Sequence, residues 1–582
     1  MDSVIFLFMR RMRAPLLVLL AAYAISIGGL VLMPGVDDQG QPWRFDFFHA
    51  FYFVSFMGST IGFGEIPYEF TDAQRAWTMV AMYLTVIAWL YAIGKILTLV
   101  QDPAFKRAMT EQGFVRSVRR LRQPFYIVCG YGETGSLLVR ALNRRGIQCV
   151  VIDSNPDLIN RLALENLSFD TPSLCCSARE VEHLVEAGLK HAYCVGIVAL
   201  TDSDEVNVKI AITSKLLNPS LKVICRSQSQ TSAANLASFN TDHIINPFKV
   251  FADHLAMALR TPSVHQLYGW LISMPDQRLQ PPIHPPRGHW IVCGFGRFGK
   301  AVHRYLGFEG IPTKIIELLP DHAPDDAIIG RGTEAVTLRE AGIDKAVGIV
   351  AGTDNDANNL SIIVTARQLN EDLYMIARQN RRSNDQVFEA ADLDLTMQAS
   401  RIIVWRILPL LITPLLSHFL RLARHQNEEW AGQLLTSIRT MTGGVTPQTW
   451  TVEINPMQAP ALYQALQQQR TVRLHHLMRE PYDRVQTMPC IPLLLVRKKP
   501  LQDDDRKEKI DEQLLPSIDV ELRPYDRLLF CACNGVASRM SWILNNTNVL
   551  EYVETGEERP DGYLWRWLIR RRSARAENQG KT

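Results

Sequence analysis

The hydrophobic pattern changes abruptly along the chain. Within the first hundred residues lie two long apolar runs, Pro15–Leu32 ("PLLVLLAAYAISIGGLVL"), which is uncharged, and Trp77–Val100, which carries only Lys95 near its end. A helix needs about 20 apolar residues to span a bilayer core, so both runs are predicted to be transmembrane helices. Between them, "WRFDFFHAFYFVSFMG" is too short to cross but apolar and aromatic enough to enter the membrane as a re-entrant helix. From residue 124 onward the pattern becomes short apolar runs such as "FYIVCGYG" and "GIVAL", alternating with helical stretches such as "VNVKIAITSKLL". That alternation predicts a parallel doubly wound α/β sheet.

A further apolar stretch, "ASRIIVWRILPLLITPLLSHFLRLA", is long enough to span but contains Arg401 and Arg406. Central arginines are costly in lipid. The expectation is therefore a crossover helix pair packing between neighbouring domains, like the shorter "HIINPFKVFADHLAMALR" upstream, rather than a third span.

Charge orients the membrane segment. Arg10, Arg11 and Arg13 precede the first run, and Lys106, Arg107, Arg116, Arg119, Arg120 and Arg122 follow the second. The positive-inside rule puts both ends in the cytoplasm, in a multi-pass protein of the inner (plasma) membrane. A second apolar run argues against a cleaved signal peptide. The connecting segment carries Asp37, Asp38, Glu65, Glu69 and Asp72, an acidic outer face that attracts cations.

Composition adds little. A formal net charge of +3 over 582 residues gives no reason to expect nucleic acid as a partner. The ten cysteines form no CxxC pair and mostly sit in apolar runs, which predicts buried, reduced thiols.

Two motifs carry the chemistry. The first is Thr60, Ile61, Gly62, Phe63 and Gly64, between the apolar runs. Alternating glycines let successive carbonyls point at one axis and replace the water shell of a cation. The stretch resembles the potassium-channel signature Thr-Val-Gly-Tyr-Gly. Phe63 lacks the hydroxyl common at its position, and Glu65 replaces the usual aspartate. The resemblance implies a potassium selectivity filter, and one loop per chain implies a homotetramer, since a ring of carbonyls takes four. Of the second helix, only Gly94 offers a hinge.

The second motif occurs twice. Gly130, Gly132 and Gly135 form GxGxxG after an apolar strand, with Tyr131, Glu133 and Thr134 between them, and "CVVIDSN" carries Asp153. Such a turn meets a pyrophosphate with backbone amides, and the acid holds a ribose diol. The pattern recurs 164 residues on as Gly294, Gly296, Arg297 and Gly299 with Glu317, and "GIVALTDSDEVNV" recurs 152 residues on as "GIVAGTDNDANNL". The chain thus contains an internal duplication whose second copy is twelve residues shorter. NAD or an adenine nucleotide is expected at the first copy, with Asp202 beside the switch crevice; in the second, Arg297 is placed to pair with phosphate and Glu317 stands at the ribose position.

Both copies resemble the TrkA-N type of domain, often called RCK, that regulates potassium conductance. The likeness implies a ligand-gated potassium channel with a ring of eight such domains. It also admits calcium as a ligand, for which "PDHAPDD" offers Asp321, Asp325 and Asp326; the position of any metal site stays unknown. The expected architecture is an α-helical membrane pore domain (helix, pore loop, helix), two α/β Rossmann-like RCK domains and a small α+β C-terminal lobe. In boundaries, that is a pore domain over 1–105, a linker over 106–123, RCK domains over 124–275 and 289–425 joined by a proline-rich connector over 276–288, a TrkA-C-like lobe over 426–565 and a basic tail over 566–582.

Two other readings compete: an NAD-binding regulatory subunit of a potassium transporter, and a membrane-tethered NAD-dependent oxidoreductase. The first leaves "TIGFG" without a purpose. Against the second, no substrate domain is visible, and no Ser/His/Asp set, cysteine nucleophile or metal cluster is placed for catalysis, so no enzyme is expected.

Overall fold

A computed structural model describes residues 2–62, 64–273, 275–498 and 510–557. The chain divides into two compact units: one comprises residues 1–123 with 172–176 and 182–193, the other the remainder.

In the first unit, helices Asp2–Leu32 and Asp72–Gln101 are both long and apolar enough to cross a membrane. They cross it as the two spans of a multi-pass inner-membrane protein. The second helix starts at a capping box, in which Thr71 accepts from the Gln74 amide and Gln74 reaches back to the Thr71 amide. It ends at Asp102, whose carboxylate caps the next helix, Pro103–Arg120, and Pro103 at that helix's first turn marks the break. The two spans pack closely where Gly29 faces Trp77: a Cβ on Gly29 would lie 2.0 Å from the indole, whose N–H donates to the Ser26 carbonyl at 3.1 Å. Leu17, Leu20, Ile25, Tyr83, Ile87 and Leu90 point outward, as lipid-facing side chains do. The re-entrant helix is Phe47–Gly58, capped by Asp46. Its inner face, Phe53, Val54 and Phe56, packs with Ile27, Leu30, Phe45 and Phe70.

The second unit holds two parallel sheets of the same topology. In the first TrkA-N-like copy, strands Gln148–Asp153, Phe125–Cys129, Cys194–Ala199, Lys222–Arg226 and His243–Ile245 lie side by side in that order. The second copy repeats this order with Thr313–Glu317, Trp290–Cys293, Gly348–Ala351, Tyr374–Gln379 and Leu395–Gln398, and Ile328–Ile329 lies at the edge beside Thr313–Glu317. Their central strands are buried on both faces, which is why they read as unbroken apolar runs.

After each sheet comes a helix pair broken at a Thr-Pro step: Pro247–Arg260 with Pro262–Ile272, and Ala399–Ile412 with Pro414–Ala423. The later pair, the stretch with spanning length, is bent by 116°. Its Arg401 and Arg406 lie on the exposed face, while Ile403, Val404, Ile407 and Leu411 are buried. The pairs are exchanged. Helix Ala399–Ile412 covers Leu138, Val139 and Leu142 of the first copy, and helix Pro247–Arg260 covers Phe298, Val302 and Leu306 of the second.

The C-terminal lobe is a four-stranded antiparallel sheet in the order Gln448–Glu453, Arg527–Ala532, Cys490–Lys498, Ile510–Leu514. Its buried carboxylate, Asp526, is held by a two-bond pair with Arg497 at 2.9 and 2.7 Å. The charged stretch 497–513 reads in sequence as a mobile loop, but both its ends are strand, because Leu494–Lys498 pairs with Ile510–Leu514. The rest of that stretch, and the basic tail, lie outside the described residues. Seven of the ten cysteines are buried thiols; Cys175 is exposed, and Cys176 and Cys533 are partly so.

Candidate functional site

The GxGxxG turn of the first copy leads from strand Phe125–Cys129 into helix Glu133–Asn143. Gly130 has φ of +100°, and a Cβ there would lie 2.9 Å from the Leu200 backbone. A Cβ on Gly135 would lie 1.9 Å from the Gly130 carbonyl oxygen, so this glycine is required for the helix to approach the turn. Around the middle glycine, Gly132, nothing stands within 4 Å of such an atom. That open space belongs to a cavity of about 600 Å³, of the size that holds a small-molecule ligand.

The cavity gathers Gly130, Gly132, Glu133, Thr134, Asp153 and Asp202, which the sequence singles out, into one crevice at the carboxyl ends of the strands. Tyr131 and Gly135 are not among its lining: the Tyr131 ring is buried in the core beside Leu138. Asp153 accepts from the Tyr131 amide at 2.5 Å and the Asn155 amide at 2.7 Å, which fixes the carboxylate at the rim. Asp202 is exposed and pairs with Arg226 at 2.9 Å.

The repeated Thr-Asp block is a fastening. Buried Asn207 accepts from the Thr201 amide (3.1 Å) and hydroxyl (2.7 Å) and donates to the Thr201 and Arg226 carbonyls. It locks the switch-point loop to the next strand. Asn359 does the same with Thr353 and Arg378 in the second copy. Asp204 and Asp356 hold the amides that follow each arginine's strand, at Gln228 and Ser229 and at Asn380 and Arg381.

Part of the wall comes from the second copy: Arg378, Gln379, Asn380, Gln398, Ala399 and Ser400. The Glu133 carboxylate accepts from the Arg382 amide at 3.0 Å and ties the two copies at this point. These second-copy residues do not follow from the glycine motif. The signal that bears on them is the match of "VICRSQ" with "MIARQN", which puts Arg226 and Arg378 in register.

In the second copy, Gly294 (φ +93°) and Gly299 repeat the close approaches, and Glu317 accepts from the amides of Phe295, Leu318 and Leu319. Arg297 stands 5.7 Å over the Phe248 ring. Phe248 in turn packs on Phe298, ring centroids 6.2 Å apart. Among the described residues no group of three or more His, Cys, Asp or Glu side chains is arranged for a metal ion; near Asp321, Asp325 and Asp326, the Asp326 carbonyl accepts from Lys314.

In the first unit the loop after the re-entrant helix has positive φ at Thr60 (+61°), Gly62 (+63°) and Gly64 (+93°), every second residue. Ile61 is exposed, and Phe63 lies outside the described residues. Glu65 is held by the Phe70 amide at 2.8 Å and by Arg75 at 2.9 Å.

Known families match both parts of the chain. The TrkA-N domain matches residues 126–247 and 290–399, and the ion channel family matches residues 16–102. Potassium channel protein 1 of Methanocaldococcus jannaschii is 25% identical over 231 residues, 39% of this chain and 67% of that one. Probable potassium channel protein 2 of the same organism is 26% identical over 248 residues, 43% and 67% of the two chains. A solved structure described as the GsuK channel covers 93% of this chain and 99% of its own, at 18% identity and a TM-score of 0.49. The chain is thus a prokaryotic potassium-channel-like protein with two N-terminal membrane-spanning helices and tandem cytoplasmic TrkA-N domains.

Proposed function

We propose that this potassium-channel-like chain assembles as a homotetramer whose pore is gated by a nucleotide, NAD or ADP/ATP, bound in the first TrkA-N crevice. The observation that carries the reading is the crevice itself. Its middle glycine faces open space, its acid is fixed at the rim, and Arg226 Nε, Gln398 Oε1 and Ser400 Oγ on its wall are buried without a partner among the described residues. Buried polar atoms are normally satisfied, so such a wall suits a polar occupant. Gly130, Gly132 and Gly135 would place the phosphates at the amides of helix Glu133–Asn143, and Asp153 would hold the ribose.

In the membrane, four copies of Thr60–Gly64 would line one axis with carbonyls for potassium. The alternating positive φ supports this, because it turns successive peptide planes in a sense that ordinary strand backbone does not adopt. Eight TrkA-N domains would then form a ring joined to the second span through residues 101–124. The ligand opens or closes the pore only in so far as it binds one state of the ring more tightly. The proposed division is that of the sequence: pore over 1–105, linker over 106–123, TrkA-N domains over 124–275 and 289–425 joined by the connector over 276–288, C-terminal lobe over 426–565 and basic tail over 566–582.

Single-channel recording of the purified protein in a planar bilayer tests this, under a potassium-to-sodium gradient with NAD, ADP and calcium added one at a time to the cytoplasmic side. The expected result is a reversal potential near that of potassium and an open probability moved by a nucleotide. Nucleotide binding without any unitary current would replace the channel by a regulatory subunit. Modulation by calcium alone would move the effector away from the crevice.

A further inference from the structure

Arg226 and Arg378 occupy the same place in the repeat, yet their surroundings differ. Arg226 is neutralised by Asp202. Arg378 has Asp354 at the matching position, but among the described residues its side chain makes no hydrogen bond or ion pair, and its guanidinium lies 5.1 Å over the Phe248 ring. Burial pushes its pKa below the ordinary guanidinium value, though an arginine stays charged. The other charges lining the cavity are engaged: Glu133 by the Arg382 amide, Asp153 by two amides, Asp202 and Arg226 by each other. The same cavity wall carries Ser400, 5% exposed, its hydroxyl without a hydrogen-bond partner among the described residues. Arg378 is half-buried on the cavity wall, with Asp354 and Asp356 near enough to act on its charge but not bonded to it, and a phosphate is the anion that such a guanidinium binds with two parallel bonds.

We infer that Arg378 and Ser400 form a phosphate subsite that the second copy lends to the first, so that a nucleoside diphosphate on the Gly130–Gly135 turn is gripped by both copies at once. This rests on the nucleotide reading above and adds to it the part of the ligand that is sensed. The adenosine portion lies against first-copy residues alone, and the phosphate farthest from it reaches across to Arg378. Occupancy therefore fastens the two copies together, and a nucleoside without phosphate does not.

Calorimetric titration of the full-length protein in detergent with ADP and with adenosine tests the subsite, using the natural protein, Arg378→Gln and Arg378→Lys. The expected outcome for Arg378→Gln is a loss of about tenfold or more in ADP affinity, the weight of one charge-assisted contact, with adenosine affinity unchanged and partial recovery in Arg378→Lys. The ligand-free Tm should not fall, while the rise in Tm produced by ADP should shrink. Equal losses for ADP and adenosine, or no loss for either, would overturn the subsite. Should Arg378→Gln not fold, the ADP-to-adenosine ratio is read from Arg378→Lys and Ser400→Ala, and an unchanged ratio in both overturns it equally. If the natural protein binds neither ADP, NAD nor adenosine, the nucleotide reading itself falls; ADP binding that ignores Arg378 removes the subsite alone.

Discussion

The two TrkA-N copies share strand order, glycine turn and Asn fastening, and they differ at a few matched positions that face each other. Beside the turn, the first crevice has Thr134 and, from the other copy, Ser400; the second has Phe298 and Phe248. Two small polar residues leave space where two phenylalanines close it. One copy's arginine is paired with its own aspartate, and the other copy's is turned against an aromatic ring. A duplicated fold thus keeps its backbone while a handful of side chains decide which copy has an accessible ligand wall.

Swapping the matched residues is the hardest test of that contrast. Phe248→Ser should destabilise the second unit by about 3–5 kcal/mol, read by thermal or denaturant unfolding, since it empties a buried aromatic position. Ser400→Phe should leave the fold in place and reduce nucleotide affinity by about 100-fold, because the added ring fills the crevice. If Ser400→Phe binds ADP normally, the crevice is not the site.

A second contrast lies in the exchanged helix pairs. His254 and His265 of the first pair lie 5.7 Å apart, with Tyr268 beside His254, and the matching residues of the second pair are Arg406 and Ser417. Burial pushes the two imidazoles down to about 3 and about 4. Both are therefore held neutral in the folded chain, whereas the unfolded chain takes up protons below about pH 6.5. Stability is full above that pH and lost as pH falls toward the folded values, by about 2 kcal/mol for each histidine at pH 5. Unfolding measured from pH 7.5 to 5 should show this slope, and His254→Gln with His265→Gln should flatten it.

Smaller effects separate the glycines and the paired arginine. Gly132→Ala should weaken nucleotide binding about tenfold with little change in Tm, since the new methyl group meets only the space a phosphate would enter. Gly296→Ala should not alter binding to the first crevice. Asp202→Asn, which removes one partner of an exposed ion pair, should change stability by less than about 1 kcal/mol.

Much of this architecture is legible in the residues themselves. Apolar length marks the two spans, and the 164- and 152-residue displacements reveal the duplicated sheets, because buried parallel strands leave unbroken apolar runs. The first-copy half of the crevice follows from GxGxxG and Asp153. Its other half does not, since Arg378 and Ser400 reach the cavity only through the packing of one copy against the other, a long-range relation with no local pattern. The exchange of helices is hidden for the same reason: an amphipathic face shows that it will be covered, not by what. The charged stretch 497–513 misleads because Arg497 and Lys498 sit on a strand, where Arg497 serves the buried Asp526.

The helix exchange has an evolutionary consequence. Two identical subunits trading helices about a twofold axis must present the same residue at both symmetric positions, so any substitution is made twice. Once the partners are joined in one polypeptide, that constraint is gone, and Ser400 and Phe248 can differ while each still buries the other copy's first helix. Fusion thereby preserves the interdependence of a dimer while letting a single codon change act on one face alone.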